Sequence, residues 1–108
     1  MSNYHKGYKF EKEVIQFYKD QGYFCLRSAG SHTPVDVLAI DDLSNHVFFI
    51  QCKYGNTRMT GKEIQSLLDL AKRYGATPIL ATKEKYKSMK LTNIECGLNG
   101  KKRNITGH

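Results

Sequence analysis

Asp36 stands inside Thr33-Pro34-Val35-Asp36-Val37-Leu38-Ala39-Ile40, a run that otherwise reads as a buried strand. An unpaired charge in such a place costs on the order of several kcal/mol, so the carboxylate needs a partner. Gln51-Cys52-Lys53 is a second anomaly, because an amide and an ammonium two residues apart share one face of a strand. If the two strands are joined by a four- or five-residue turn through Asp41-Asp42-Leu43-Ser44-Asn45, the register sets Asp36 opposite Gln51 or its immediate neighbour, with paired Cβ atoms about 5 Å apart. Glu11 adds another carboxylate: it precedes Val14, Ile15 and Tyr18 by three, four and seven residues and shares their helical stripe, whereas Glu13, Lys19 and Asp20 fall on the outer face.

Two carboxylates and an amide oxygen beside a lysine make a hard oxygen site suited to Mg²⁺ or Mn²⁺. A cation held there polarises a phosphodiester and makes hydroxide available near neutral pH. Lys53 is a compact point charge, suited to holding or deprotonating the attacking water and to stabilising the charge that builds up on phosphorus. Each residue also has a plainer reading. Asp36 can be a solvated edge-strand residue after the Pro34 turn, Glu11 a border residue of its helix, and Gln51 with Lys53 a wet strand end. Their coincidence in one small chain favours a site.

The elements that must position these groups follow from spacing. Phe10, Val14, Ile15, Phe17 and Tyr18 predict a helix over Lys6 to Gln21, stopped at Gly22. Tyr23 to Arg27 reads as a short strand, Ser28 to Pro34 as a loop, and Val35 to Ile40 and Val47 to Tyr54 as an antiparallel hairpin. Val47 and Phe49 point to one side of it, Phe48 and Ile50 to the other, so the sheet is covered on both faces. Thr60 and Glu63 have capping-box spacing at the head of a second helix, which runs with Ile64, Leu67, Leu68, Leu70 and Ala71 inward to Tyr74 before Gly75. Thr77 to Thr82 is a further strand, and Lys90 to Cys96 reads as another. The expected class is α/β, a central mixed sheet flanked by helices, in one domain over 1–108 with a basic tail at about 97–108.

The chain has 17 Lys and Arg against 10 Asp and Glu, a formal balance of +7, which in so small a domain points to a polyanion such as nucleic acid. Basic residues recur along the whole length, so the balance is not made by the Lys101-Lys102-Arg103 ending alone. Cys25, Cys52 and Cys96 are odd in number and lack CxxC spacing, against both a disulfide framework and a zinc or iron–sulfur site. No signal peptide or membrane span is read, and the expected location is the cytoplasm.

An Asp followed across a hairpin by (D/E/Q)-x-K resembles the PD-(D/E)XK nuclease superfamily, whose restriction-endonuclease-like core is the fold this implies. Lys6-Gly7, Glu11, Gly22-Tyr23, Arg27-Ser28-Ala29-Gly30-Ser31 and Val35-Asp36 resemble, in order and spacing, the archaeal-type Holliday junction resolvases, and the likeness continues through Gln51-Cys52-Lys53 and the second helix to about Lys83. The resemblance implies a Mg²⁺-dependent endodeoxyribonuclease, with Mn²⁺ substituting, that resolves four-way DNA junctions and leaves 5′-phosphate and 3′-hydroxyl ends. It implies Glu11, Asp36, Gln51 and the carbonyl of Cys52 as metal ligands, Lys53 as a catalytic residue, and Arg27 and Ser31 on the DNA backbone near the cut, Ser31 counted with the catalytic set. Lys12 stands where some members place an arginine on the phosphates, and Lys6, Lys9 and Lys62 join the expected DNA-binding set. Tyr54 and Arg58, on the link between strand and helix, read either as DNA contacts or as ordinary surface.

The resemblance also implies a two-fold homodimer with Leu70 and Tyr74 at or near the contact, no membrane and no small-molecule cofactor. The family's usual third acidic ligand is Gln51 here, as in some restriction-type nucleases resembling the Mrr branch. The site therefore carries two formal negative charges instead of three, and metal affinity is expected to fall. Two other readings share these residues: a restriction-type nuclease of the same fold, disfavoured because a short chain leaves no room for a recognition domain, and a catalytically inactive DNA-binding module.

Overall fold

The computed structural model describes residues 3–28 and 33–97, with side chains for 7–28 and 33–95. Ser31, the side chain of Lys6 and the basic ending at 98–108 lie outside the described residues. In chain order the elements are α1 (Asn3–Asp20), β1 (Tyr23–Arg27), β2 (Val37–Asp41), β3 (Val47–Tyr54), α2 (Gly61–Tyr74), β4 (Thr77–Lys83), β5 (Lys90–Asn93) and the short α3 (Ile94–Gly97).

The five strands form one sheet in the order β1-β2-β3-β4-β5, antiparallel except for the parallel β3–β4 pair. A parallel neighbour needs a crossover, and α2 supplies it. The expected α/β class with a mixed central sheet is observed.

α1 packs on one face because Phe10, Val14 and Tyr18 recur every four residues and are all buried, against Val37, Ala39, Ile50, Ile79 and Ala81. α2 covers the other face, where Leu67 and Ala71 meet Val35, Phe49 and Ile94. The start of α2 is fixed chemically: Thr60 Oγ1 accepts the N–H of Glu63 while the Glu63 carboxylate accepts the N–H of Thr60. Gly75 ends the helix with φ 67°, its N–H returned to the Ala71 and Lys72 carbonyls.

The structure corrects three boundaries. α1 begins at Asn3, about one turn earlier than the Lys6 start indicated by the apolar stripe from Phe10 onward. Residues Ile94 to Gly97 form a helical turn instead of extending a strand. Asn93 Oδ1 accepts the N–H of Glu95, and Ile94 drops into the α2-side core, so a cap and a burial together turn the chain. The third correction bears on the site: β2 starts at Val37, and Asp36 stands just outside it.

Candidate active site

At the mouth of β2 the ladder changes character. Val37 is paired with Ile50, yet the N–H of Asp36 also goes to the Ile50 carbonyl, at 2.8 Å. Two residues of one strand thus stand opposite one of the other, the arrangement of a β-bulge. Val35 and Leu38 consequently both face the α2 side, although simple alternation would separate them. The Asp36 carbonyl still accepts the N–H of Ser28, which keeps the segment after β1 beside it.

The bulge frees the Asp36 side chain to act where the backbone has left. Asp36 Oδ2 accepts the N–H of Cys52 at 2.8 Å, a charge-assisted bond that replaces the missing ladder bond on β3. Burial pushes the Asp36 carboxyl above its ordinary range; the Cys52 N–H opposes that shift, the negative charge of Glu11 adds to it, and Lys53 and Arg27 lower it. Five of the residues singled out in the sequence are therefore electrostatic neighbours. The Cys52 thiol, on the α1 side, is itself held protonated by burial and by the Asp36 and Glu11 charges.

Gln51 and Asp36 line one open hollow of about 430 Å³, together with Pro34, Lys62 and Glu63 of the first turn of α2. Lys53, two residues on from Gln51, is only 14% exposed and donates from Nζ to Glu63 Oε2 at 3.2 Å. Glu11 approaches from α1 across the opposite face. Its carboxylate, 18% exposed, takes the Arg27 Nε–H at 2.7 Å. β1 pairs Arg27 with Val37, so the guanidinium stands next to Asp36 along the sheet. β2 starts at Val37 while the antiparallel β3 runs on to Tyr54, so β3 extends past Asp36, which feels the charges of Glu11 from α1 and of Lys53 from β3.

Two contributors escaped the sequence reading. The ring of Tyr8, 39% exposed, lies under Arg27 at 4.4 Å and Lys12 at 5.3 Å; its spacing to Glu11 and Lys12 on one helical face was the available signal. Glu63 is visible in sequence only as a helix cap, and its second oxygen on Lys53 depends on the tertiary approach of α2. The other expected residues are placed as follows. Lys9 and Lys12 are exposed on α1, Lys62 is exposed beside the hollow, and Arg58 is exposed on the link after β3. Tyr54 packs its ring against Phe10 at 6.0 Å and also lines a groove with Cys52, Lys53 and Gly55 to Thr57. That groove shares Gly55, Asn56 and Thr57 with a second hollow of about 560 Å³ that carries Arg58, Lys83, Lys87 and Lys90. Lys83 is paired with Glu13 and Lys87 with Glu84. Leu70 is partly buried in the α2-side core, whereas Tyr74, stacked at 6.2 Å on Phe49, is 64% exposed.

The donor set fits a hard divalent cation in kind. It offers the Asp36 and Glu11 carboxylates, the Gln51 amide oxygen and main-chain carbonyls, and the described residues that line the hollow include no Cys, Met or His. Among the described residues no three His, Cys, Asp or Glu side chains are gathered as a cage.

The model of the family described as "Archaeal holliday junction resolvase (hjc)" matches residues 2–105 of the chain. Among solved structures the fold is similar to that of Archaeoglobus fulgidus Hjc, a Holliday junction resolvase from an archaeal hyperthermophile, with 21% sequence identity, a TM-score of 0.69, and coverage of 81% of this chain and 75% of that one. The structural likeness bears on the fold, and the family match spans nearly every residue discussed above: the chain belongs to the archaeal Holliday junction resolvase family.

Proposed function

We propose that this resolvase-family chain hydrolyses phosphodiesters of four-way DNA junctions at the point where the chain enters β2. Glu11, Asp36, Gln51 and the carbonyl of Cys52 would hold a divalent cation, Mg²⁺ or Mn²⁺. When bound, the cation polarises the scissile phosphate and lowers the pKa of water. Lys53 donates toward the attacked phosphate and stabilises charge as the fifth oxygen arrives. Arg27, shared between Glu11 and the ring of Tyr8, orients the carboxylate and presents a guanidinium to the DNA backbone, a backbone-binding role that Ser31 would share. The observation that carries this reading is the Asp36 carboxylate seated on the Cys52 N–H, beside Gln51 and within the field of Glu11, Lys53 and Arg27.

The DNA path runs along Lys9 and Lys12 on one side and Lys62 on the other. The groove from Lys53 through Gly55 to Arg58 and Lys90 takes further phosphates of the cut strand. Such contacts position a backbone without reading bases, which suits recognition of junction shape.

Cutting two strands of a two-fold junction calls for two sites related by two-fold symmetry, hence a second copy of the chain. α2 covers β3 and β4, and the same side of β1 is left with Phe24 53% and Leu26 52% exposed, paired with Ile40 and Leu38. Together with Tyr74 they form the apolar face that we assign to the homodimer, with Leu70 as support beneath it. No helix among the described residues is long and apolar enough to cross a membrane, and the free thiols of Cys25 and Cys52 agree with a reducing cytoplasm.

The deciding experiment compares cleavage of a four-way junction with randomised arms against a linear duplex of the same composition during a Mg²⁺ titration. Metal-dependent cutting of the junction is expected. Preference for the linear duplex would overturn the reading, and binding without cutting would make the chain a binding module.

A further inference from the structure

We propose that Glu63, which lines the Asp36–Gln51 hollow, is a positioning residue for the nuclease reaction, holding the neighbouring Lys53. The proposal rests on Lys53 being catalytic, as argued above. Each Glu63 oxygen has a distinct partner: Oε1 accepts the Thr60 N–H at 2.9 Å and Oε2 accepts Lys53 Nζ at 3.2 Å. The Glu63 N–H is in turn bonded to Thr60 Oγ1 at 3.1 Å. One oxygen of the carboxylate is thus held at the head of a helix whose next turns, through Leu67 and Ala71, are buried in the core, and the other reaches Lys53 on β3.

A lysine on a flexible four-carbon stem needs such a stop to present its ammonium in one place. Here the side chain is mostly buried, and its ammonium is hydrogen-bonded to Glu63, which lines the hollow that also holds the uncharged Gln51. Where a third acid would otherwise lie beside the lysine, Glu63 brings a negative charge from α2. The Thr60 N–H, and secondarily Lys53, hold its carboxyl below the usual range, so the charge is present throughout neutral pH. The Glu63 carboxylate that caps α2 therefore also sets the lysine.

Single-turnover cleavage and junction affinity, measured on the full chain with Mg²⁺, test this on three variants. Glu63→Gln keeps an oxygen for the Thr60 N–H but presents a neutral group to Lys53. Its cleavage rate is expected to fall about 10- to 100-fold, as for other outer-shell orienting groups, with junction affinity unchanged. Thr60→Ala removes the cap from its other side while leaving the Glu63–Lys53 contact, and is expected to cut at close to the wild-type rate. Lys53→Ala is expected to be inactive. If Glu63→Gln cuts as wild type while Lys53→Ala is dead, the positioning role is overturned alone. Equal losses in Thr60→Ala and Glu63→Gln reduce Glu63 to a helix cap, and an active Lys53→Ala removes the site assignment beneath both.

Discussion

The Asp36 carboxylate and the Cys52 main-chain N–H are hydrogen-bonded at 2.8 Å across the point where β2 parts from β3. A side chain there does the work of a ladder carbonyl. Asp36 also lines the hollow that holds Gln51. Burial raises the Asp36 pKa, with Glu11 contributing in the same direction, so the charged form needed for a metal is destabilised by the fold that positions it.

That relationship fixes the sign of a pH-dependent effect. The folded protein binds the Asp36 proton more tightly than the unfolded chain does, so the carboxylate lowers stability above the folded-state pKa and ceases to do so below about pH 3.9, the ordinary value. Asp36→Asn keeps an oxygen for the Cys52 N–H and removes the charge. It is expected to raise the stability of the metal-free protein by about 1 kcal/mol at pH 7.5, and the gain should shrink toward pH 4. Cutting should be lost and junction binding kept. Urea unfolding at the two pH values, with a binding assay, checks this; a destabilised variant at pH 7.5 would make Asp36 a structural residue.

Gln51 gives the second prediction. An amide oxygen coordinates a hard cation more weakly than a carboxylate does, and Gln51 lines the same hollow as Asp36. Gln51→Glu should shift the Mg²⁺ titration of cleavage to lower concentration, by about tenfold for one added carboxylate. Gln51→Ala should shift it the other way. Identical metal titrations for all three proteins would take Gln51 out of the site.

The paired elements show what a sequence can and cannot carry. Phe10, Val14 and Tyr18 announce α1 and its buried face. The Gln51–Lys53 alternation puts the amide and the ammonium on one side of β3, where Lys53 meets α2 and Cys52 turns to α1. The Thr60–Glu63 box likewise marks the head of α2. A one-residue bulge leaves no pattern, however, and so the strand drawn from Val35 begins only at Val37, with Asp36 outside it. Nor does local spacing reveal that Arg27 reaches sixteen residues back to Glu11, or that Glu63 is bound twice. Those contacts arise only when α1 and α2 are laid on opposite faces of the finished sheet.

The basic groove yields a prediction about salt. Arg58 and Lys90 line the hollow that continues the groove from Lys53, and each phosphate neutralised adds about 0.9 to the slope of log affinity on log salt. Arg58→Ala and Lys90→Ala together should therefore lower that slope by about two units while leaving cleavage of fully bound junction intact. An unchanged slope would place the DNA elsewhere on the chain.

Leu26 and Leu43 are both exposed leucines, at 52% and 95%, yet they have different expected roles. Leu26 sits on β1 among Phe24, Leu38 and Ile40, on the side that α2 leaves uncovered, whereas Leu43 lies in the β2–β3 turn with no apolar neighbours of that kind. A charge at either position costs the folded monomer little, within about 0.5 kcal/mol at an exposed site. Buried at a two-fold interface, however, the Leu26 position would set two carboxylates in apolar surroundings, which is strongly unfavourable. Leu26→Glu is thus expected to sediment as a monomer and to accumulate singly nicked junctions in place of paired cuts. Leu43→Glu should remain dimeric and cut both strands. A Leu26→Glu protein that stays dimeric at low micromolar concentration would move the interface away from β1 and back toward α2 alone.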